Sequence, residues 1–162
     1  MAAMKSALIV LMCLVSGVVL GDAPAPAPSL PEKAELLATN TVVAKYLDTV
    51  EHPCRFMTAL CPDRCDHATR LARFEVLRSE HYAHPGQYGD EQMKPGSIAL
   101  VDVKKPVLGQ SPDVATTIAS LKPGDEVRMT ITHYYVQQGQ GQFPVRPVVK
   151  FELLGADSAP QK

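Results

Sequence analysis

Hydrophobic and polar positions alternate most regularly in the last third of the chain. Across residues 125–137, Val127, Met129, Ile131, His133 and Tyr135 fall on one face, with Arg128, Thr130, Thr132 and Tyr134 on the other. A period of two predicts a half-buried strand. The same pattern recurs in 68–79, where Ala72, Phe74 and Val76 alternate with Arg73 and Glu75, and in 97–104, where Ala99, Val101 and Val103 share a face. Residues 41–50 read two ways. Val43, Leu47 and Val50 would share a helical face, but Thr41, Val42, Val43 and Thr49 are β-branched, so a strand is the reading taken. The last strand, 143–154, is interrupted by Pro144 and Pro147, which places part of it at an edge.

Helical signals are fewer. Residues 32–38 predict a short helix. Ser111 can cap a second helix with Pro112 at its first position; it runs through Ile118 and Leu121 and stops at Lys122-Pro123-Gly124. Residues 80–96 hold HYAHPGQYGD and KPG, which is loop chemistry, and QGQGQ at 138–142 is a flexible turn.

The start of the chain has a different character. One cation, Lys5, precedes an apolar run from Ala7 to Leu20, too short for a membrane span and the right length for a signal sequence. Val19 and Gly21 suit the −3 and −1 positions of a cleavage site, so residues 1–21 are expected to leave before Asp22. DAPAPAPSLP at 22–31 then reads as an extended spacer. The expected organisation is a signal peptide (1–21), a Pro/Ala spacer with a short helix (22–38), a β-domain (39–155) and a tail (156–162). Location outside the cytoplasm, extracellular or periplasmic, follows from export, with no membrane attachment after cleavage.

The element order is strand, strand, strand, helix, strand, strand. By that order alone the chain resembles an OB-fold, and the expectation is a mainly β domain: a five-stranded OB-like barrel with one helix between strands 3 and 4. The resemblance implies a ligand face on strands 2 and 3, flanked by the 1–2 and 4–5 loops, and names no ligand. Netrin-like metalloprotease inhibitors, also secreted OB-folds, resemble the chain less. They begin on a cysteine and carry many disulfides, whereas Asp22 begins this mature chain.

Charge narrows the partners. The 162 residues hold 16 Lys+Arg against 17 Asp+Glu, and aromatic residues make up 6% with no Trp. Neither a basic face nor a stacking platform for nucleic acid is present in such a composition.

The candidate chemistry lies in residues 51–67. His52-Pro53-Cys54 is followed by Cys61-Pro62-Asp63-Arg64-Cys65 and by Asp66-His67. Thiolates and imidazoles are the ligands of zinc and of copper(I), and four make a closed tetrahedral zinc site. Pro53 and Pro62 reduce the entropy lost when such a loop closes. Cys54, Cys61, Cys65 and His67 are the expected ligands, with His52 as an alternate ligand or hydrogen-bonding support. The CxxxC piece resembles the copper-binding motif of Sco-type copper chaperones over Cys61–Cys65 only, without that family's thioredoxin-like fold. With Cys13 lost in the signal, three thiols remain, and export into an oxidising space equally suits one disulfide plus a free cysteine. A five-residue disulfide ring contributes only about 2 kcal/mol by loop entropy. A nucleophilic thiol is the third reading.

His133, at the end of the regular strand, is either a packed core histidine or, if that strand end faces the loop after the first strand, a further ligand. His81 and His84 fall in a loop and read as solvated. Tyr82, Tyr88, Tyr134 and Tyr135 could line a groove but in small barrels usually pack. No GxSxG, phosphate loop or HExxH is present, nor carboxylates paired for glycosidase work. Three functions stay open: a non-catalytic module for zinc or copper; an extracellular structural or interaction protein, such as a matrix component or inhibitor, with a protein partner; and a thiol-redox protein. N-terminal sequencing of the exported protein should begin near Asp22, and Met1 on the folded protein would remove the export argument.

Overall fold

The computed structural model of the chain describes residues 29–53 and 68–155. β1 (Ala34–His52) is followed by β2 (Thr69–Ala83), β3 (Ile98–Asp102), α1 (Asp113–Ser120), β4 (Glu126–Gln138), β5 (Gly141–Val145) and β6 (Val148–Leu154). Mainly β structure with one helix between the third and fourth strands is therefore the architecture. All pairings are antiparallel, in the order β3-β2-β1-β4-β5, with β6 also on β4. β5 and β6 run along the same side of β4 and are one strand broken at Arg146-Pro147, as Pro147 leads one to expect.

The expected helix at 32–38 is not formed. Ala34 to Ala38 open β1 and pair with Val136 to His133 of β4, and Gln137 donates its N–H to the Lys33 carbonyl at 3.1 Å. Glu, Lys, Ala and Leu favour a helix locally, but a ladder of backbone bonds to a distant strand outweighs that small preference. The expected closed five-stranded barrel is also not formed: the sheet is open, with no ladder from β3 to β5 or β6 among the described residues. β3 is five residues long, and the Val148 carbonyl receives the N–H of Ser111 at 2.9 Å instead of a closing strand. Ser111 does not cap α1 either. Pro112 occupies the cap position, and no side-chain cap bond is made.

Bulges curve the sheet. The β1–β2 register shifts at Thr41/Val42, Val43/Ala44 and Tyr46/Asp48, and the β1–β4 register at Leu36/Ala38. Each extra residue bends and twists its strand. The concave face collects Val42, Ala44 and Tyr46 of β1, Ala72, Phe74 and Val76 of β2, Ala99 and Val101 of β3, Val127 and Met129 of β4, and Val148 of β6. Val114 and Ile118 of α1 complete this core. The period-two faces expected for β2 and β3 are those observed. On β4 the pattern holds from Val127 to Ile131; Thr132 and His133 are then both buried, and beyond them Val136 is buried and Tyr135 is exposed. Beside it, Leu37 is the extra residue that β1 inserts between the partners of Tyr134 and His133.

Phe74 sits at the centre. Its ring meets Tyr46 at 5.4 Å and Phe151 edge-on at 5.7 Å. It has no exposed surface. Phe74→Ala should destabilise the protein by about 3–5 kcal/mol, the usual result of emptying a large buried aromatic site. Urea unfolding measures this; a loss under about 1 kcal/mol would mean that the core is not organised around this ring.

Candidate functional site

The strand register separates the histidines that the sequence singled out. His52 ends β1 and pairs with Thr69, the first residue of β2. His133 pairs with Ala38, near the opposite end of β1. Between Ala38 and His52 lies an extended run on the order of 45 Å along the strand. An antiparallel β4 must bring its C-terminal end back to the start of β1, so His133 faces away from the β1–β2 connection. The register therefore sets His133 and His52 at opposite ends of β1. Cys54, Cys61, Cys65 and His67 lie outside the described residues. Among the described residues, no three His, Cys, Asp or Glu side chains gather closely enough to hold a metal ion.

A polar cluster surrounds His133 instead. The chain between β2 and β3 folds back over the concave face. Gly86 donates its N–H to the Leu37 carbonyl at 3.1 Å, and a Cβ at Gly86 would lie 2.5 Å from a Leu37 methyl, so only glycine fits. Asn40, buried in mid-strand, spends its amide on this connection: its Oδ1 accepts from Met93 N at 2.9 Å, and its Nδ2 donates to the Glu91 carbonyl at 3.3 Å. Tyr82 Oη donates to the Asp90 carbonyl at 3.0 Å. The effect is to fix Asp90 above His133. His81 belongs to β2 rather than to a loop; His84 and Tyr88 are exposed.

The Asp90 backbone N–H donates to His133 Nδ1 at 3.1 Å. An accepting Nδ1 carries a lone pair, so the ring proton of neutral His133 resides on Nε2. That Nε2 is buried and has no hydrogen-bond partner among the described residues. Leaving it so costs on the order of 1–3 kcal/mol. The Asp90 carboxylate approaches Nδ1 at 3.2 Å but is held by Arg146, whose Nε and Nη2 donate to its two oxygens at 2.6 and 2.8 Å. This is a bidentate pair. A base in a catalytic relay needs its Nδ1–H held by a carboxylate; here Nδ1 accepts, and the carboxylate is committed elsewhere.

Electrostatics agree with the neutral ring. Burial, the largest cause, pushes the His133 imidazole below its ordinary value; Asp90 opposes this and Arg146 reinforces it. The hydrogen bond from Arg146 holds the Asp90 carboxyl below the usual carboxylate range against the opposing effect of burial.

His133, Asn40, Asp90 and Arg146 line one cavity of about 360 Å³ with Met93, Ile98, Ala99, Leu100, Ile131 and Val148. It lies between the free edge β3 and the β5–β6 junction. Of the four polar residues, the sequence singled out only His133. Asn40 left a signal, because asparagine is disfavoured within a strand. Asp90 and Arg146 left none, being 56 positions apart. Comparison of the chain with protein families, characterised proteins and solved structures finds no match.

A folded-state imidazole pKa below the unfolded one means that the unfolded chain takes up the proton first. The stability this contributes is complete above the ordinary imidazole range. It is lost as pH falls from there toward the depressed folded value. Thermal melts should therefore drop between pH 7.5 and 5.5, and in His133→Gln this part of the drop should vanish. An equal drop in the variant would assign the titration to other groups.

Proposed function

We propose that the protein is an exported, non-catalytic metal-binding module that takes zinc or copper(I) in the Cys/His segment joining β1 to β2. The observation that carries the reading is the pairing of His52 with Thr69. It holds Pro53 and Ala68, the two ends of the intervening sequence, side by side, with His52 on the last rung. The three thiols and His67 all belong to that intervening sequence. Closing such a loop beforehand lowers the entropy that four ligands lose around one ion. The ions named are those that thiolate and imidazole donors favour. No helix among the described residues is long and apolar enough to cross a membrane.

The finer reading of the fold, an OB-like arrangement left unclosed, is part of the same proposal. Its support is the position of α1 between β3 and β4 and the cavity that β3 and the β5–β6 junction share. A second reading, an extracellular interaction protein with the loop stapled by a disulfide, is favoured by export alone.

Native mass spectrometry should show one metal ion that is lost on denaturation. Cys61→Ser or Cys65→Ser should abolish it. Binding should release protons and weaken as pH falls through the thiol and imidazole range, because the ligands must be deprotonated. His133→Gln should leave metal content unchanged, since His133 lies at the far end of β1. Three free thiols after chelation support the metal; one free thiol in the untreated protein overturns it in favour of the disulfide.

A further inference from the structure

β3 is the bare edge of the sheet. Val103 N donates to the Arg70 carbonyl and Val76 N to the Ser97 carbonyl, both at 2.9 Å. With Ala99 opposite Phe74 and Val101 opposite Ala72, the hydrogen-bonded rungs to β2 fall on the odd-numbered residues. The N–H and C=O groups of Ile98, Leu100 and Asp102 therefore point away from β2. No strand pairs with them among the described residues. Gln110 Nε2 reaches the Asp102 carbonyl at 3.5 Å, which leaves Ile98 and Leu100 as the open rungs. Their side chains, 48% and 56% exposed, are apolar as well. Sheets commonly blunt such an edge with a lysine, a proline or a bulge. The opposite edge does so: Pro144 lies in β5, and Pro147 separates β5 from β6. β3, Ile-Ala-Leu-Val-Asp, has none of these, and its register with β2 is unbroken.

We propose that the free edge of β3 docks an extended segment of a partner protein, which adds as one more antiparallel strand, lodges one apolar side chain in the adjoining cavity and carries acidic residues on either side of it. The backbone groups select an extended segment, because a strand is what meets a row of N–H and C=O groups. The cavity of about 360 Å³ touches Ile98, Ala99 and Leu100. Their side chains alternate between faces, so a cavity common to all three runs along the edge of the strand. Its far wall includes Ile131 of β4 and Val148 of β6, so the edge is the one away from β2. A partner residue opposite Ala99 points to the concave side, as Ala99 does, and enters this cavity. Charge decides between partners. Lys94 precedes β3, Lys104 and Lys105 follow it, and Asp102 is the one acid between positions 94 and 105. The Asp102 carboxylate is held by Thr69 Oγ1 and by the backbone N–H groups of Lys104 and Lys105. On β2, Glu75 and Arg73 are already paired with Lys45 and Asp48. A second copy laid antiparallel on this edge would bring Lys94 of each molecule to Lys104 and Lys105 of the other, and like charges facing across a pair are destabilising. Acidic flanks meet the same lysines favourably.

The test uses the full mature chain labelled with ¹⁵N, and capped peptides Glu-Glu-Thr-Val-Xaa-Val-Thr-Glu-Glu with Leu, Ile, Met or Phe at the centre. At least one of these should shift the Ile98 and Leu100 amides saturably and slow their hydrogen exchange. N-methylation of both valines removes the peptide N–H groups that face β3 and should weaken binding about tenfold or more. Lysine in place of the glutamates, or glycine at the centre, should each weaken it about tenfold. In the protein, Leu100→Pro removes an edge N–H that β2 does not use and should abolish binding. Leu100→Glu, at an exposed position that spares the core, should weaken binding about tenfold and covers the case in which the proline variant does not fold. Absence of a saturable shift at these amides with all four peptides overturns the proposal, as does equal binding of the N-methylated or lysine-bearing peptide. Slow exchange of both amides in the free monomer would assign the edge to another segment of the chain. A concentration-dependent dimer lost in Leu100→Pro would assign it to a second copy. Either result overturns the partner. The readout lies on β3 and makes no use of the metal, so its failure leaves the metal reading intact.

Discussion

The double pairing of β1 is the constraint on which the rest of the molecule rests. Its 19 residues are hydrogen-bonded to β2 on one side and to β4 on the other, with Ala34 to Lys45 matched to β4 and Thr39 to His52 matched to β2. The middle of the strand therefore has its backbone groups satisfied from both sides, while each end is held from one. A strand of this length cannot stay flat. The bulges at Leu36/Ala38 on one side and at three places on the other let it coil. The coiling turns the inward residues of four other strands and one helix toward a single apolar cluster, in which Phe74 and Met129 have no exposed surface.

The two ends of β1 lead to different parts of the chain. At the C-terminal end, the last rung between His52 and Thr69 delivers the chain into the cysteine-bearing connection. At the N-terminal end, Leu37 and Asn40 hold the β2–β3 connection over the concave face, and that connection brings Asp90 to His133 and Arg146. Antiparallel pairing makes this separation unavoidable. Whatever follows β1 lies at one end of the sheet, and whatever follows β4 lies at the other.

The cluster at His133 is organised by competition for hydrogen bonds rather than by proximity of charges. Asp90 stands 3.2 Å from the imidazole, close enough to pair with a protonated ring. Arg146 takes the carboxylate first, with two donors in a planar fork, and burial penalises the charged ring. The imidazole stays a neutral acceptor at Nδ1 and a donor at Nε2. Exposed ion pairs elsewhere, such as Arg128 with Glu80 and Glu152, bridge strands on the outer surface and contribute little to stability.

What the sequence determined by itself is the set of elements whose local pattern and tertiary role agree. Alternation in β2, β3 and the first half of β4 marked the buried faces correctly, because one side of each strand meets the core. Lys122-Pro123-Gly124 ended the helix, Gly139 with positive φ turned β4 into β5, and Pro147 broke the last strand, since these residues act through their own dihedrals. What only the tertiary structure decided depends on partners far away in the chain. Residues 34–38 have helical composition and became a strand because β4 offered a ladder. The sheet is open because, among the described residues, no strand beyond β2 pairs with β3. His133 left the vicinity of His52 because register, which no local pattern encodes, put them at opposite ends of β1. Asp90 and Arg146 were invisible for the same reason: an ion pair between positions 56 apart exists only once the sheet has brought their backbones together.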